Sequence, residues 1–71
     1  MKLRERIAQN IIKHRKNAGL SQENLAKRAG VSRAYIGHIE NMRHSVSLDT
    51  LEKIAISLDV DAVDLMRPLI N

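Results

Sequence analysis

The 71-residue sequence contains no cysteine, no tryptophan and no phenylalanine, and Tyr35 is its single aromatic residue. Without cysteine there is no disulfide and no thiol chemistry, and a cytoplasmic setting is the expectation. His14, His38 and His44 show no ligand spacing, and no cysteine is present to complete a zinc site, so neither metal nor cofactor is expected. Scarce aromatics leave the core to Ile, Leu, Val and Ala. No apolar run approaches the ~18 residues of a membrane span, and no signal-peptide core opens the chain. Linkers, internal repeats and low-complexity stretches are missing too, so residues 1–71 read as one small domain. No catalytic constellation is present. Asp61 and Asp64 are explained as helix-start charges near the positive end of a helix dipole, and an enzyme is not expected.

What the chain does have is regular punctuation. Ser21 is placed to N-cap a helix, its hydroxyl accepting from a first-turn N–H that has no intrahelical partner. Leu20 precedes this cap and Leu25 follows it four residues later, the spacing of a hydrophobic staple. Val31, Ser32 and Ile36 repeat the relation, as do Val46, Ser47 and Leu51, and then Val60, Asp61 and Leu65. Each group opens an amphipathic stretch, so together they define four helix starts.

A further helix precedes them. Ile7, Ile11 and Ala18 share one stripe at helical spacing, with Ala8 and Arg15 beside it. Gly19 and Gly30 are the expected stops of the first and second helices, because glycine takes a left-handed conformation at little cost. The expectation is an all-α domain of five helices, over 3–18, 22–29, 33–41, 48–58 and 62–67, with a tail at 68–71.

Charge is unevenly spread. Residues 1–46 hold ten Lys/Arg against three Glu, whereas residues 47–71 hold two against five acidic residues. A phosphate backbone would favour the first surface and avoid the second. Taken alone, the basic part could also be only a solvated face.

Residues 22–40, QENLAKRAGVSRAYIGHIE, read as two short helices joined by a tight turn at Gly30, Val31 and Ser32. This is the layout of a helix-turn-helix, whose second helix can lie in the DNA major groove. At 100° per residue, Arg33, Ala34, Gly37, His38 and Asn41 share an arc of roughly 140°, while Ile36 and Ile39 lie opposite. Arg33, in the first turn, can pair with guanine O6 and N7, or else contact a phosphate or solvent. Ala34 can touch a thymine methyl or simply favour the helix. Gly37 costs about 1 kcal/mol relative to alanine inside a helix. On the exposed face it suggests close approach of DNA, room for a neighbouring side chain, or neutral drift. His38 can face a base or a phosphate. Tyr35, at the edge of this face, is open to a phosphate contact or to partial burial. Gln22, Asn41, Arg43 and His44 are the remaining candidates for phosphate contacts.

Arg15 beside one apolar stripe and Glu40 at the edge of another each need a partner, and they are expected to pair. The alternative is an Arg15 that snorkels to solvent.

These residues resemble the XRE-like helix-turn-helix family, the group of lambdoid phage repressors and Cro proteins. The resemblance is carried by Arg15, Ala18-Gly19-Leu20-Ser21-Gln22, Leu25-Ala26, Gly30-Val31-Ser32, Ile36, Ile39-Glu40-Asn41 and SLDTLEKIAISLDV from Ser47. It covers about residues 4–67 and implies a compact five-helix, lambda-repressor-like DNA-binding domain with its helix-turn-helix at helices 2 and 3. By position it also implies base contacts at Arg33, Ala34, Gly37 and His38, phosphate contacts at Gln22 and Asn41, and an ion pair of Arg15 with Glu40. Two departures stand out. Gly37 lacks a side chain where many members carry one, and Asp59 stands where the family usually has glycine. Short free-standing members include phage repressors, controller proteins of restriction–modification systems, and antitoxins.

The expected function is a sequence-specific transcriptional regulator that binds double-stranded DNA as a homodimer on a roughly palindromic operator. The expected two-fold surface is Ile56, Val63, Met66, Leu69 and Ile70, unless the tail folds back on its own domain. The competing reading is an antitoxin-like or coactivator-like module with a protein partner, a toxin or RNA polymerase. No ligand-sensing domain is read in the chain, so regulation is expected to come from concentration, dimerisation or a partner.

Overall fold

Every anticipated cap forms in the computed structural model, which describes residues 2–69. The Oγ of Ser21, Ser32 and Ser47 accepts from the backbone N–H of Asn24, Tyr35 and Thr50, and Asp61 accepts from Val63 N–H. These caps open α2 (Gln22–Ala29), α3 (Arg33–Glu40), α4 (Leu48–Ser57) and a 3-10 turn (Ala62–Leu65); α1 (Leu3–Asn17) precedes them. No strand occurs among the described residues. The residue before each cap does what a staple requires: Leu20 is buried, and Val31, Val46 and Val60 pack against the core.

Among the described residues the architecture is thus four α-helices and one 3-10 turn, so the expected fifth helix is present only as that single turn. The sixth residue of the expected fifth helix, Arg67, precedes Pro68, whose ring disfavours helical backbone at the residue before it. What remains is one turn closed by a reciprocal cap, in which Asp64 Oδ2 accepts from Asp61 N–H at 3.2 Å. A second correction concerns Ala18. Expected on the apolar stripe, it is the exposed C-cap of α1, where the chain is already leaving the helix for Gly19 at φ 72°.

The departure at Asp59 has a clear outcome. Its φ is 57°, so the chain keeps a left-handed stop with an aspartate in place of glycine. Asp is among the few residues that tolerate this conformation singly. The turn is closed by Val60 N–H donating to Ala55 O at 3.0 Å.

Five side chains are almost fully buried, one from each element: Ile11, Leu25, Ile36, Ile54 and Leu65. Each contributes roughly 1.5–3 kcal/mol by leaving water. α2 packs on α3 and α4, α1 on α3 and the 3-10 turn, and α4 on that same turn. Two buried polar residues, Asn10 and Glu40, accompany them. Asn10 Nδ2 donates to Leu65 O at 3.0 Å and to Arg67 O at 2.8 Å, tying the middle of α1 to the end of the chain. The sequence reading passed over Asn10, although it stands three residues after Ile7 on the same apolar side of α1.

Candidate nucleic-acid interface

α3 presents two different faces because its apolar residues are confined to one of them. Ile36 and Ile39 are buried in the core, while Arg33 and Ala34 are exposed and Gly37 and His38 are half-buried. Gln22 from α2, these four residues, and Asn41 and Arg43 beyond the helix line one shallow groove of about 300 Å³. Seven of the nine expected DNA-contact residues therefore surround a single depression, and Tyr35 and His44 stand apart from it.

Those two belong to an adjoining cluster. The His44 ring meets His38 edge-to-face with centroids 4.9 Å apart and lies 6.4 Å from Tyr35. The loop that carries His44 is held by a sharp reversal after α3. Met42 takes φ 61°, and Arg43 N–H donates to His38 O at 2.8 Å. From the other side, Arg4 Nη2 donates to Ser45 Oγ at 2.6 Å. Neither the Met42 reversal nor the Arg4 tether was read from the sequence. Left-handed backbone at methionine has no local signal, and the tether spans distant residues.

Behind the groove, Arg15 and Glu40 form a two-bond ion pair. Arg15 Nε donates to Glu40 Oε2 at 2.7 Å and Nη2 to Oε1 at 3.0 Å, with side chains 12% and 4% exposed. Arg15 Nη1 also donates to Leu20 O at 2.9 Å, across the α1–α2 corner. A third donor reaches Glu40: Gln22 Nε2 lies 3.0 Å from Oε1. The network joins α1, α2 and α3. Such a pair owes its stability to geometry, since two desolvated charges must satisfy each other. Gln22, expected to hold a phosphate, has one amide hydrogen already committed here.

At Gly37 there is open space. A Cβ built there would meet Gln22 Oε1 at 3.8 Å, an ordinary contact. Glycine is therefore not demanded by packing within the protein.

Among the residues expected at a two-fold surface, Ile56 and Val63 are 72% and 51% exposed. Met66 is half-buried and packs against the monomer core, and Leu69 is also half-buried. Ile70 lies outside the described residues. Leu48, at 81% the most exposed large apolar side chain among the described residues, was not anticipated. Near the chain end, Arg67 Nε donates to Asp64 Oδ1 at 2.9 Å. This bond, helped by the Asp61 N–H, holds the Asp64 carboxyl below its ordinary value of 3.8 against a smaller opposing effect of burial. No helix among the described residues is long and apolar enough to cross a membrane.

Comparison with known proteins places this geometry. A family profile described as Helix-turn-helix matches residues 11–65. A hypothetical transcription factor of Neisseria meningitidis is 39% identical over 66 residues, covering 93% of this chain and 62% of that protein. The chain thus spans less than two thirds of that relative's length. Control protein C.SmaI of Serratia marcescens is 36% identical over 66 residues, covering 93% of this chain and 79% of that protein. The crystal structure of SinR, a master regulator for biofilm formation, in complex with DNA matches with a TM-score of 0.80 at 39% identity, covering 86% of this chain and 98% of that one.

Proposed function

The chain belongs to the XRE-like helix-turn-helix family, and from that membership we propose that it is a sequence-specific transcriptional regulator. It binds double-stranded DNA as a homodimer with α3 in the major groove. The observation that carries this reading is the separation of faces on α3. Core contacts are made by Ile36 and Ile39, and the opposite side holds Arg33, Ala34, Gly37 and His38 around one groove. Similarity to SinR, solved with DNA, supports the same reading. Similarity to C.SmaI supports a controller-type regulator as the narrower one.

In this arrangement Arg33 enters the groove first and pairs with guanine O6 and N7, a contact of about 1–3 kcal/mol of discrimination. Ala34 meets a thymine methyl. His38, braced by His44, stands farther along the same face. Asn41 and Arg43 take phosphates beyond the helix, with Tyr35 and His44 at its edge. The charge distribution suits this orientation, because the basic excess lies in residues 1–46, which include α3, and the acidic excess lies in residues 47–71. Ile56 and Val63, with the tail, form the two-fold contact, which sets two copies of α3 about 34 Å apart, one DNA turn. A DNA-binding regulator of this kind acts in the cytoplasm.

Selection of bound sequences from a random duplex pool at physiological salt tests the proposal. Recovery of a two-fold repeat with half-sites one turn apart, containing a guanine whose preference disappears in Arg33→Ala, is the expected result. Recovery of no enriched sequence, with binding that vanishes as salt rises, would reduce the basic face to non-specific affinity.

A further inference from the structure

Gln22 opens α2 beside Gly37, and its amide is held in one orientation. Glu40, paired with Arg15, is a carboxylate and only accepts hydrogen bonds. With Gln22 Nε2 3.0 Å from Glu40 Oε1, the flipped amide would set one oxygen against another. The nitrogen therefore faces Glu40, and the carbonyl oxygen turns away from it. That oxygen is the atom a Cβ on Gly37 would meet. So Gly37 leaves Gln22 Oε1 uncovered, at the groove that Arg33 and Ala34 also line.

We infer that Gln22 reads a base through this gap, its Oε1 accepting a hydrogen bond from an exocyclic amino group in the major groove. The donor is adenine N6 or cytosine N4. The inference rests on α3 lying in the major groove as proposed above. From α2, Gln22 supplies the contact that a side chain at position 37 would make from α3. Thymine O4 and guanine O6 are acceptors, and a carbonyl oxygen repels both. The amide's second hydrogen can donate to adenine N7, so adenine offers a two-point contact and cytosine a single one. A phosphate presents acceptors only, so a carbonyl oxygen aimed at the DNA is poorly suited to gripping the backbone. Arg15 and Glu40 are positioning residues for this contact.

The test uses the full chain and the duplexes recovered by selection. At one position per half-site, four duplexes differing only in that base pair are titrated. The expected result is that adenine or cytosine is favoured by about 5- to 20-fold over guanine and thymine, the range of one or two hydrogen bonds to a base edge. The adenine and cytosine duplexes distinguish the two donors. In Gln22→Met the preference collapses while the guanine preference attributed to Arg33 persists. Gly37→Leu, whose side chain fills the space beside that oxygen, is expected to bind more weakly overall and to lose the same adenine or cytosine preference, and circular dichroism checks that both variants fold. A Gln22→Met protein that binds all four duplexes equally more weakly, with preferences intact, would make Gln22 a backbone contact and overturn the inference. Unchanged binding would overturn it as well. If the wild-type chain selects no sequence, the regulator reading falls and takes this contact with it. If it selects a guanine that depends on Arg33 but no base that depends on Gln22, this contact alone falls.

Discussion

Arg15 of α1 and Glu40 at the end of α3, 25 residues apart, meet in a nearly solvent-free pair that also receives Gln22. Removing one member of such a pair leaves the other buried and uncompensated. Arg15→Met is expected to lower unfolding stability by about 3–5 kcal/mol, while Arg15→Met with Glu40→Leu recovers much of the loss. Urea denaturation of the single and double variants measures this. A single variant as stable as the parent would show that the pair does not hold α3 in place.

Gly37 gives the opposite prediction. Its Cβ position is open apart from the ordinary contact with Gln22 Oε1, so alanine fits. Gly37→Ala is expected to raise stability by up to about 1 kcal/mol through helix propensity. Operator affinity should fall if the opening receives DNA as proposed, because the added methyl would fill part of it. Thermal unfolding and a gel-shift titration read the two effects separately. A stabler protein with unchanged affinity would mean that the DNA does not use the opening.

Asn10 is a buried side chain that reaches the carbonyls of Leu65 and Arg67. In Asn10→Ala the carbonyls of Leu65 and Arg67 lose their donor. A loss of about 1–3 kcal/mol is expected, chiefly from the buried Leu65 carbonyl left unpaired. Amide exchange should quicken at Asp64 and Met66, whose N–H groups close the 3-10 turn, more than at Leu51. Uniform quickening across all helices would indicate global loosening and not a local clamp.

Ile56 and Val63 are exposed in the monomer, so charging them should not disturb its core. The variant Ile56→Lys with Val63→Lys is expected to sediment as a monomer, with folded stability within about 0.5 kcal/mol of the parent after dilution. Its operator titration should lose steepness. A variant that still sediments as a dimer would place the two-fold contact elsewhere, with Leu48 as the next surface to test.

Asp64 predicts a pH dependence. Its carboxyl is held below the ordinary 3.8, chiefly by Arg67, so the folded state binds this proton less readily than the unfolded chain does. The resulting stability is complete above the unfolded value and is lost as pH falls from about 3.8 through the lowered folded value. Asp64→Asn should flatten that part of the acid limb in a stability–pH series. An identical limb in both proteins would remove Asp64 from the account.

Local chemistry was legible in the sequence because it is written in adjacent residues. Ser21, Ser32, Ser47 and Asp61 cap where their apolar flanks said they would, and α2 begins and ends at its expected residues. The side of α3 carrying Arg33 and Gly37 followed from helical spacing alone. Less legible were features decided by distant or backbone partners. The last helix shortened to a 3-10 turn before Pro68, and Ala18 left the stripe because α1 ended before it. Asn10, the Arg4–Ser45 bond and the left-handed Met42 all depend on where remote segments come to lie. Gln22 shows the limit well. Its place at the start of α2 was evident, but the direction of its amide follows from a carboxylate 18 residues away.

That arrangement has a consequence for how the protein can diverge. Arg33, Ala34 and His38 project from α3 without taking part in the core, so lineages can exchange them and acquire new operators while the domain stays folded. Gln22 is different, because the acidic residue that orients it also joins three helices. Any change of base preference at that contact must be compatible with Arg15 and Glu40. Drift in target sequence is therefore expected to be fast under the exposed part of α3 and slow under the inferred Gln22 contact.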